Sequence, residues 1–202
     1  MSTVKSTTDT VKNPGVDSLA ASSARGDDAM LRDGTRVHLR PIHPEDIELE
    51  RRFIESLSSA SRRFRFLDTM KSPSAELLKQ LTVINPATDA AYVALLGTGD
   101  QTQEIGVARF SAQAGGHDCE FAVTVADAWQ HKGLGTLLMQ RLIEVAKARG
   151  IKTMHSSDAA DNDLMRKFAE HLHFQHQRDP NDAKLMLYSV RLDATEAAPS
   201  SP

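Results

Sequence analysis

The stretch from Gln130 to Thr136, QHKGLGT, has the residue types of an anion-binding loop. An alternating apolar segment typical of a strand precedes it, and a long amphipathic helix pattern follows it. A helix N-terminus presents backbone N–H groups without acceptors and the positive end of the helix dipole, and glycines let a phosphate come close to the backbone. The stretch therefore indicates a phosphate site, although a bare GxG pattern is more often a plain strand-to-helix turn.

Other motifs that would specify a chemistry are absent from the sequence. The P-loop pattern GxxxxGK[ST] does not occur, and the dinucleotide fingerprint would need a glycine in place of Leu138. The single cysteine, Cys119, excludes a disulfide within the chain, and we expect it to be a core residue rather than a nucleophile. His171, His173 and His176 do not share one helix face, so we expect no metal site.

Composition and charge restrict the class of protein. The 202 residues, 40% hydrophobic and 25% charged, predict one soluble domain. A net charge of -3 disfavours binding to nucleic acid or to an anionic membrane, and no apolar run approaches the roughly 20 residues of a membrane span. Without a signal-peptide pattern, a cytoplasmic location is expected. Small polar residues predict disordered tails at 1–30 and 194–202 around a folded domain at 31–193.

Hydrophobic periodicity predicts the elements that position the loop. Strands are predicted near 35–41, 91–97, 104–112, 119–125, 151–156 and 184–191, the second to fourth of them as an antiparallel meander. Helices are predicted near 44–58, in a broken region from 59 to 84 with Ser72 as an N-cap, at 133–149 and near 162–172. In the helix after the loop, the predicted buried face contains Leu134, Leu137, Leu138, Leu142 and Val145. The order of elements indicates a mixed α+β domain without internal repeats.

In this strand and helix context, the stretch from Gln130 to Gly135 resembles the Q/R-x-x-G-x-G/A pyrophosphate loop of the GNAT acyltransferase superfamily. Asn162, with Phe174 twelve positions later, resembles the closing helix and strand of that superfamily, and the resemblance spans about residues 31–192. It implies a GNAT-like α+β fold, with a mixed, mostly antiparallel central sheet flanked by helices, and acetyl-CoA as the acyl donor.

The same resemblance implies how the donor is held. The pyrophosphate would lie on the amides of residues 131–136, and the pantetheine would pair with the strand at 121–125. Asn162 would either cap the late helix or hydrogen-bond the pantetheine. The implied donor-binding residues are Phe121, Ala122, Val123, Val125, Gln130, His131, Lys132, Gly133, Leu134, Gly135, Thr136 and Asn162.

A narrower resemblance concerns the acceptor. The segments DGTRVHLRPIHPED, SRRFRF, GVARF, AADNDLM and the whole stretch from Glu120 to Gly150 look similar to the acetyltransferase domain of bacterial Pat-type protein lysine acetyltransferases. This implies acetyl transfer to a protein lysine, for example on an acyl-CoA synthetase. Many of those enzymes carry a fused CoA-ligase-like or nucleotide-sensing region, and the segment before residue 31 is too short to form one.

Acetyl transfer to a lysine requires a base, because a free lysine has a pKa of about 10.4 and is protonated near neutral pH. Glu120 matches the glutamate of the Pat-type EFAV motif, which implies that it is the general base, acting directly or through a water. The alternative is a solvated carboxylate at a strand edge. A backbone N–H near Val123 would polarise the thioester carbonyl.

Two positions depart from the superfamily pattern. Many GNAT enzymes protonate the departing thiolate with a tyrosine seven residues after the asparagine, where this chain has Ala169; its only tyrosines are Tyr92 and Tyr188. Pat-type domains also tend to lack that tyrosine, so this departure agrees with the narrower resemblance. The glycine that usually precedes the final aromatic residue is His173 in this chain.

Several assignments stay open on sequence alone. The arginines of the 51–65 segment form either a solvated face or a rim that attracts an acidic protein or the CoA phosphates: Arg51, Arg52, Arg62, Arg63 and Arg65. Trp129 is expected to anchor the loop by packing. Two other functions are compatible with the sequence, a small-amine or N-terminal acetyltransferase and a non-catalytic acyl-CoA sensor, and replacement of Glu120 separates an enzyme from a sensor.

Overall fold

The structure of the protein is a computed structural model that describes residues 26–66 and 72–193. Its strands are β1 (Asp27–Met30), β2 (Arg36–Pro41), β3 (Asp89–Leu96), β4 (Gln103–Ala112), β5 (Asp118–Val125), β6 (Thr153–Ala159), β7 (Gln175–Arg178) and β8 (Leu185–Arg191). Its α-helices are α1 (Ile47–Ser56), α2 (Ser59–Phe66), α3 (Ala75–Thr82), α4 (Leu134–Ala148) and α5 (Asp163–His171). Short 3-10 turns lie at Pro44–Asp46, Gly99–Gln101 and Asp127–Trp129.

All eight strands form one sheet in the order β1-β2-β3-β4-β5-β6-β8-β7. Every pair is antiparallel except β5 with β6, so the predicted α+β fold with a mostly antiparallel sheet is confirmed, as is the meander of β3, β4 and β5. The parallel pair has only three residue pairs, which end at Glu120 opposite His155. Beyond that point β5 has no partner on its β6 side within the described ranges, so the two strands separate there.

Strand alternation places side chains on two faces of the sheet. On the α4 face, α4 packs over an apolar cluster that includes Phe110, Phe121 and Leu138. On the α1 face, α1 and α3 cover a second cluster that includes Val93 and Val107. The sheet is therefore buried on both sides around its centre, and the two faces are named in this way below.

Helix α4 starts and stops where the sequence predicts. Gly133, at φ 90°, precedes its first residue, and Gly150, at φ 76°, follows its end; both lie in the left-handed region that favours glycine. Of the predicted buried face, Leu134, Leu138 and Leu142 are buried, whereas Leu137 and Val145 are half-buried. Met139 and Ala146 complete the buried face.

The structure differs from the sequence-based expectations at three places. The predicted tail at 1–30 overlaps β1, which pairs with β2 although its DDAM sequence lacks apolar alternation; residues 1–25 and 194–202 lie outside the described residues. The N-cap of α3 is Ser74, whose hydroxyl accepts from the N–H of Leu77 at 3.1 Å, and not Ser72. The strand β7 has no predicted counterpart, because all four of its side chains are exposed.

Candidate active site

The loop between β5 and α4 has a tightly defined backbone. His131 has a φ of 61°, an uncommon value for a residue other than glycine, and the side chain of Gln130 donates to the carbonyl of Val125 at 3.2 Å. Gly133 is the N-cap and has no side-chain oxygen to accept from the first amides of α4. The N–H groups of the first helical turn therefore lack acceptors in the helix and can donate to an anion.

The two glycines of the loop meet different structural requirements. A side chain at Gly133 would stand 3.4 Å from the Arg32 side chain and would need a left-handed backbone. A Cβ at Gly135 would meet the ring of Phe168 in α5 at 3.2 Å, which is a tight contact. Gly135 thus brings α4 and α5 close together, and this packing role is compatible with a position beside a ligand.

A cavity of about 330 Å³ opens where β5 and β6 separate. The predicted residues among its lining are Val123, Val125, Gln130, His131, Gly133, Gly135, Thr136 and Asn162. The other predicted residues do not line it: Glu120, Phe121, Ala122, Lys132 and Leu134. Phe121 is a core residue packed edge-on against Phe174, at a centroid distance of 5.5 Å, and Leu134 is 1% exposed.

Asn162 and Asp158 form the wall opposite β5. The side-chain oxygen of Asn162 accepts from the N–H of Met165 at 3.1 Å, so it caps α5, and its amide nitrogen donates to the Asp158 carboxylate at 3.0 Å. Burial raises the pKa of Asp158 above its usual value, against the opposing effect of the bond from Asn162. The capping role of Asn162 is thus present in the structure, and the residue also faces the cavity.

Helix α2 covers one end of the cavity with Ser61, Phe64 and Arg65. Its first turn is fixed by Asp127, which accepts hydrogen bonds from the Ser58 hydroxyl at 2.7 Å and from the Ser61 hydroxyl at 2.8 Å. Burial lowers the pKa of Arg65 to about 10. Periodicity around the loop did not reveal these residues, but the sequence singled out the SRRFRF segment and the arginine run that includes Arg65, and of that run Arg65 lines the cavity.

Glu120 lies at the apex of the opening between β5 and β6. Its neighbours on β5, Cys119 and Phe121, belong to the α4-face cluster, so the Glu120 side chain points to the α1 face. It is exposed and stands opposite Ser111 on β4 and His155 on β6. The cavity begins three residues further along the same strand, at Val123. The carboxylate is therefore accessible to solvent beside the cavity rather than inside it.

The sequence profile of the acetyltransferase (GNAT) family matches residues 54–174. The chain belongs to this family. It is 42% identical over 162 residues to acetyltransferase PA5475 of Pseudomonas aeruginosa, an alignment that covers 80% of this chain and 87% of that protein. It is 29% identical over 175 residues to acetyltransferase Pat of Mycolicibacterium smegmatis, which covers 85% of this chain and 50% of that protein.

Solved structures show the same GNAT fold. The GNAT domain of S. lividans PAT superposes with a TM-score of 0.76 at 24% identity, covering 82% of this chain and 96% of that one. A cAMP-binding acyltransferase from Mycobacterium smegmatis superposes with a TM-score of 0.58 at 25% identity, covering 94% of this chain and 57% of that one. The chain thus spans about half the length of the larger relatives. The predicted family, fold and N-acetyltransferase activity with acetyl-CoA as donor are confirmed.

The residues present fit the donor that GNAT enzymes use. The loop offers uncapped amides at the start of a 15-residue helix for the pyrophosphate, and β5 offers an edge without a strand partner beyond Glu120 for an extended pantetheine. Lys132 contributes less than its position in the loop suggests. Its ammonium lies 3.1 Å from the Asp33 carboxylate and 4.4 Å from the centre of the Trp129 ring. Trp129 itself packs against both apolar clusters, as predicted.

Both departures from the GNAT pattern have a structural counterpart. Ala169 is fully buried in α5, where a small side chain fits the core. Tyr188 is buried as well, and burial raises its pKa to about 12. His173 has a φ of 57°, so it keeps the left-handed backbone that glycine favours, which histidine adopts more readily than most residues. Burial raises the pKa of Cys119 to about 12, which agrees with its predicted core role.

The described residues show neither a metal cluster nor a membrane-spanning helix. No three His, Cys, Asp or Glu side chains in ranges 26–66 and 72–193 come together as a metal site. His171 lines the cavity, whereas the ring of His176 lies 3.8 Å from the Glu170 carboxylate. No helix in those ranges is long and apolar enough to cross a bilayer.

Proposed function

We propose that the protein acetylates the ε-amine of lysine residues in other proteins, with Glu120 as the general base. The observation that carries this proposal is the exposed Glu120 carboxylate at the apex of the β5–β6 opening, beside the cavity. An exposed base can meet a lysine side chain presented by a large partner. The narrower similarity to Pat supports the protein acceptor.

Acetyl-CoA supplies the thioester acyl group, and the residues of this chain hold it and move the proton. The loop amides and the free edge of β5 hold the donor with its carbonyl near the Val123 N–H, which acts as an oxyanion donor. Glu120 takes the proton of the incoming lysine ammonium, directly or through a water. The neutral amine attacks the thioester carbonyl and forms the C–N bond, the C–S bond breaks, and CoA leaves as the thiolate. The nitrogen then loses its second proton, which reaches the thiolate through water.

The alternative acceptors are a small amine or a protein N-terminus, and the alternative role is a sensor. In all of these the donor site is the same, so the acceptor and the turnover must be measured. The purified protein is incubated with acetyl-CoA and either an acyl-CoA synthetase or polyamines, and CoA release is followed together with mass spectrometry of the products.

The substitution Glu120→Gln tests the base. We expect a loss of kcat of about 10²- to 10⁴-fold, with acetyl-CoA affinity unchanged, because general-base catalysis contributes about that much. Asp118→Asn is the matched control, since Asp118 is an exposed carboxylate two residues earlier on the same strand and face. Turnover that survives in Glu120→Gln would exclude this base. Binding of acetyl-CoA without modification of any acceptor would favour the sensor.

A further inference from the structure

We propose that Arg32, on the turn between β1 and β2, binds the pyrophosphate of acetyl-CoA together with the loop at the start of α4. This assignment rests on the proposed position of the donor. Arg32 lies outside the region that matches the family profile, residues 54–174, and the sequence placed it only in the turn before the first strand, with no role assigned. The position of its side chain beside the loop follows from three sets of contacts.

The first set of contacts fixes the β1–β2 turn. Leu31 donates to the carbonyl of Thr35 at 2.9 Å, Gly34 donates to the carbonyl of Leu31 at 3.0 Å, and Thr35 donates to the Asp33 carboxylate at 3.0 Å. Gly34 has a φ of 84°, which a tight turn requires and glycine permits. The turn therefore holds Arg32 in one backbone conformation.

The second set joins this turn to the donor loop and to α4. The backbone N–H of Arg32 donates to the carbonyl of Lys132 at 3.2 Å. At the other end of the hairpin, Asp27 pairs with Arg141 of α4. Both contacts leave the Arg32 side chain free to face the cavity, and replacing that side chain would remove neither of them.

The third set concerns the side chain. Its Cγ and Nε atoms lie 3.4 Å from the point where a Cβ on Gly133 would stand, so it passes directly over the N-cap of α4. It lines the cavity with Gln130, His131 and Thr136. The glycine at 133 thus leaves space for the arginine as well as permitting the backbone turn.

The charges at the loop itself leave Arg32, rather than Lys132, as the cation available to the pyrophosphate; Arg65 of α2 and Lys167 of α5 line the same cavity from their helices. Lys132 is engaged by Asp33 and Trp129. Within residues 26–66 and 72–193, the guanidinium of Arg32 has neither an ion pair nor a hydrogen bond, and it stands at the positive end of the α4 dipole, where a cation is unfavourable. A diphosphate would accept bonds from the fork of the guanidinium and from the helix amides, and so relieve this repulsion.

The test compares three donors, acetyl-CoA, 3′-dephospho-acetyl-CoA and acetyl-pantetheine, with the wild-type protein and the Arg32→Gln variant. Arg36→Gln is the control, because Arg36 is an exposed arginine on the same hairpin. We expect Arg32→Gln to lower kcat/KM about tenfold for both nucleotide donors, with kcat at saturation unchanged. With acetyl-pantetheine, which lacks the diphosphate, the wild type and the variant should be equal. Arg32→Lys should retain part of the affinity.

Several results would overturn the assignment. Equal kinetics for Arg32→Gln and Arg36→Gln would show that Arg32 does not contact the donor. An equal loss with acetyl-pantetheine would show damage to the groove rather than a lost phosphate contact, and thermal unfolding of the variant would reveal it. A loss restricted to acetyl-CoA would place Arg32 on the 3′-phosphate. If the wild type gave no turnover with acetyl-CoA, the failure would lie in the proposed function, whereas direct binding measurements would still test Arg32.

Discussion

The two faces of the sheet bury different kinds of side chain, although the same strands contribute side chains to both. The α4 face is filled by apolar and aromatic side chains, such as Phe121 and Leu138. The α1 face also buries Glu50 and Glu104, which are 1% and 2% exposed, close to Arg109. The loop proposed to hold the donor precedes α4, the helix of the α4 face, whereas Glu120 belongs to the α1 face. Apolar packing thus supports the helix that follows the loop, whereas the proposed base lies on the face that also buries carboxylates.

The largest effect on stability is expected from a substitution in the apolar core of the α4 face. Leu138→Ala should lower the free energy of unfolding by about 2–5 kcal/mol, because Leu138 is fully buried and its removal would leave an empty space in the core that the neighbouring side chains fill only in part. Leu137→Ala, one position earlier on the same helix, is the control, since Leu137 is half-buried and should cost much less. Urea unfolding of both variants measures the difference. Equal losses of unfolding free energy in the two variants would show that the buried leucines do not hold α4 on the sheet.

The same helix shows how much of the site the sequence contains. The loop, its glycines and the leucines of α4 are neighbours in the chain, so local periodicity predicts the strand, the turn and the buried face. Which residues of α4 are most deeply buried depends on where the sheet lies against the helix, and the sequence does not give that position. Leu137 was expected to be buried, but Met139 is buried more deeply because the sheet lies on that side.

Other parts of the site depend on long-range contacts that periodicity does not predict, although the sequence singled out the SRRFRF segment and Arg65 of α2. The strand β1 has no apolar pattern and is held by its pairing with β2 and by Asp27 with Arg141, so its composition predicted a tail. Asp158 and the α2 residues reach the cavity only because β6 separates from β5 and because Asp127 fixes α2. Long-range pairing of this kind leaves no periodic signal.

The buried carboxylates of the α1 face predict how stability depends on pH. Burial, and then the neighbouring Glu50 carboxylate, raise the pKa of Glu104 well above its usual value, against the opposing charge of Arg109. The folded state therefore binds more protons than the unfolded state between about pH 4.5 and the raised pKa. Over that window the Glu104 contribution makes stability fall as pH rises.

Glu104→Gln should remove this dependence. At pH 5 the variant and the wild type should melt at similar temperatures, whereas at pH 8 the variant should be more stable by about 3 °C or more, since about 1 kcal/mol shifts Tm by 2–4 °C in a domain of this size. The control is Glu76→Gln, because Glu76 is exposed on α3. A variant less stable at pH 8 than at pH 5, relative to the wild type, would mean that Arg109 stabilises the ionised form, and the face would then contain a stabilising ion pair.

The smallest effect on stability is expected at the exposed ion pair between α2 and the turn before α5, where the Arg63 guanidinium lies 2.8 Å from the Asp161 carboxylate. Both side chains are exposed, at 41% and 67%, so the pair should contribute less than about 1 kcal/mol to stability. Arg63→Gln should therefore lower Tm by at most about 2–4 °C more than Arg52→Gln, the control at an exposed arginine on α1, and this difference should vanish in about 1 M salt. If Arg63→Gln were as destabilising as Leu138→Ala, the position of α2 over the cavity would depend on this one contact rather than on Asp127, and the ion pair would have to be counted with the structural core.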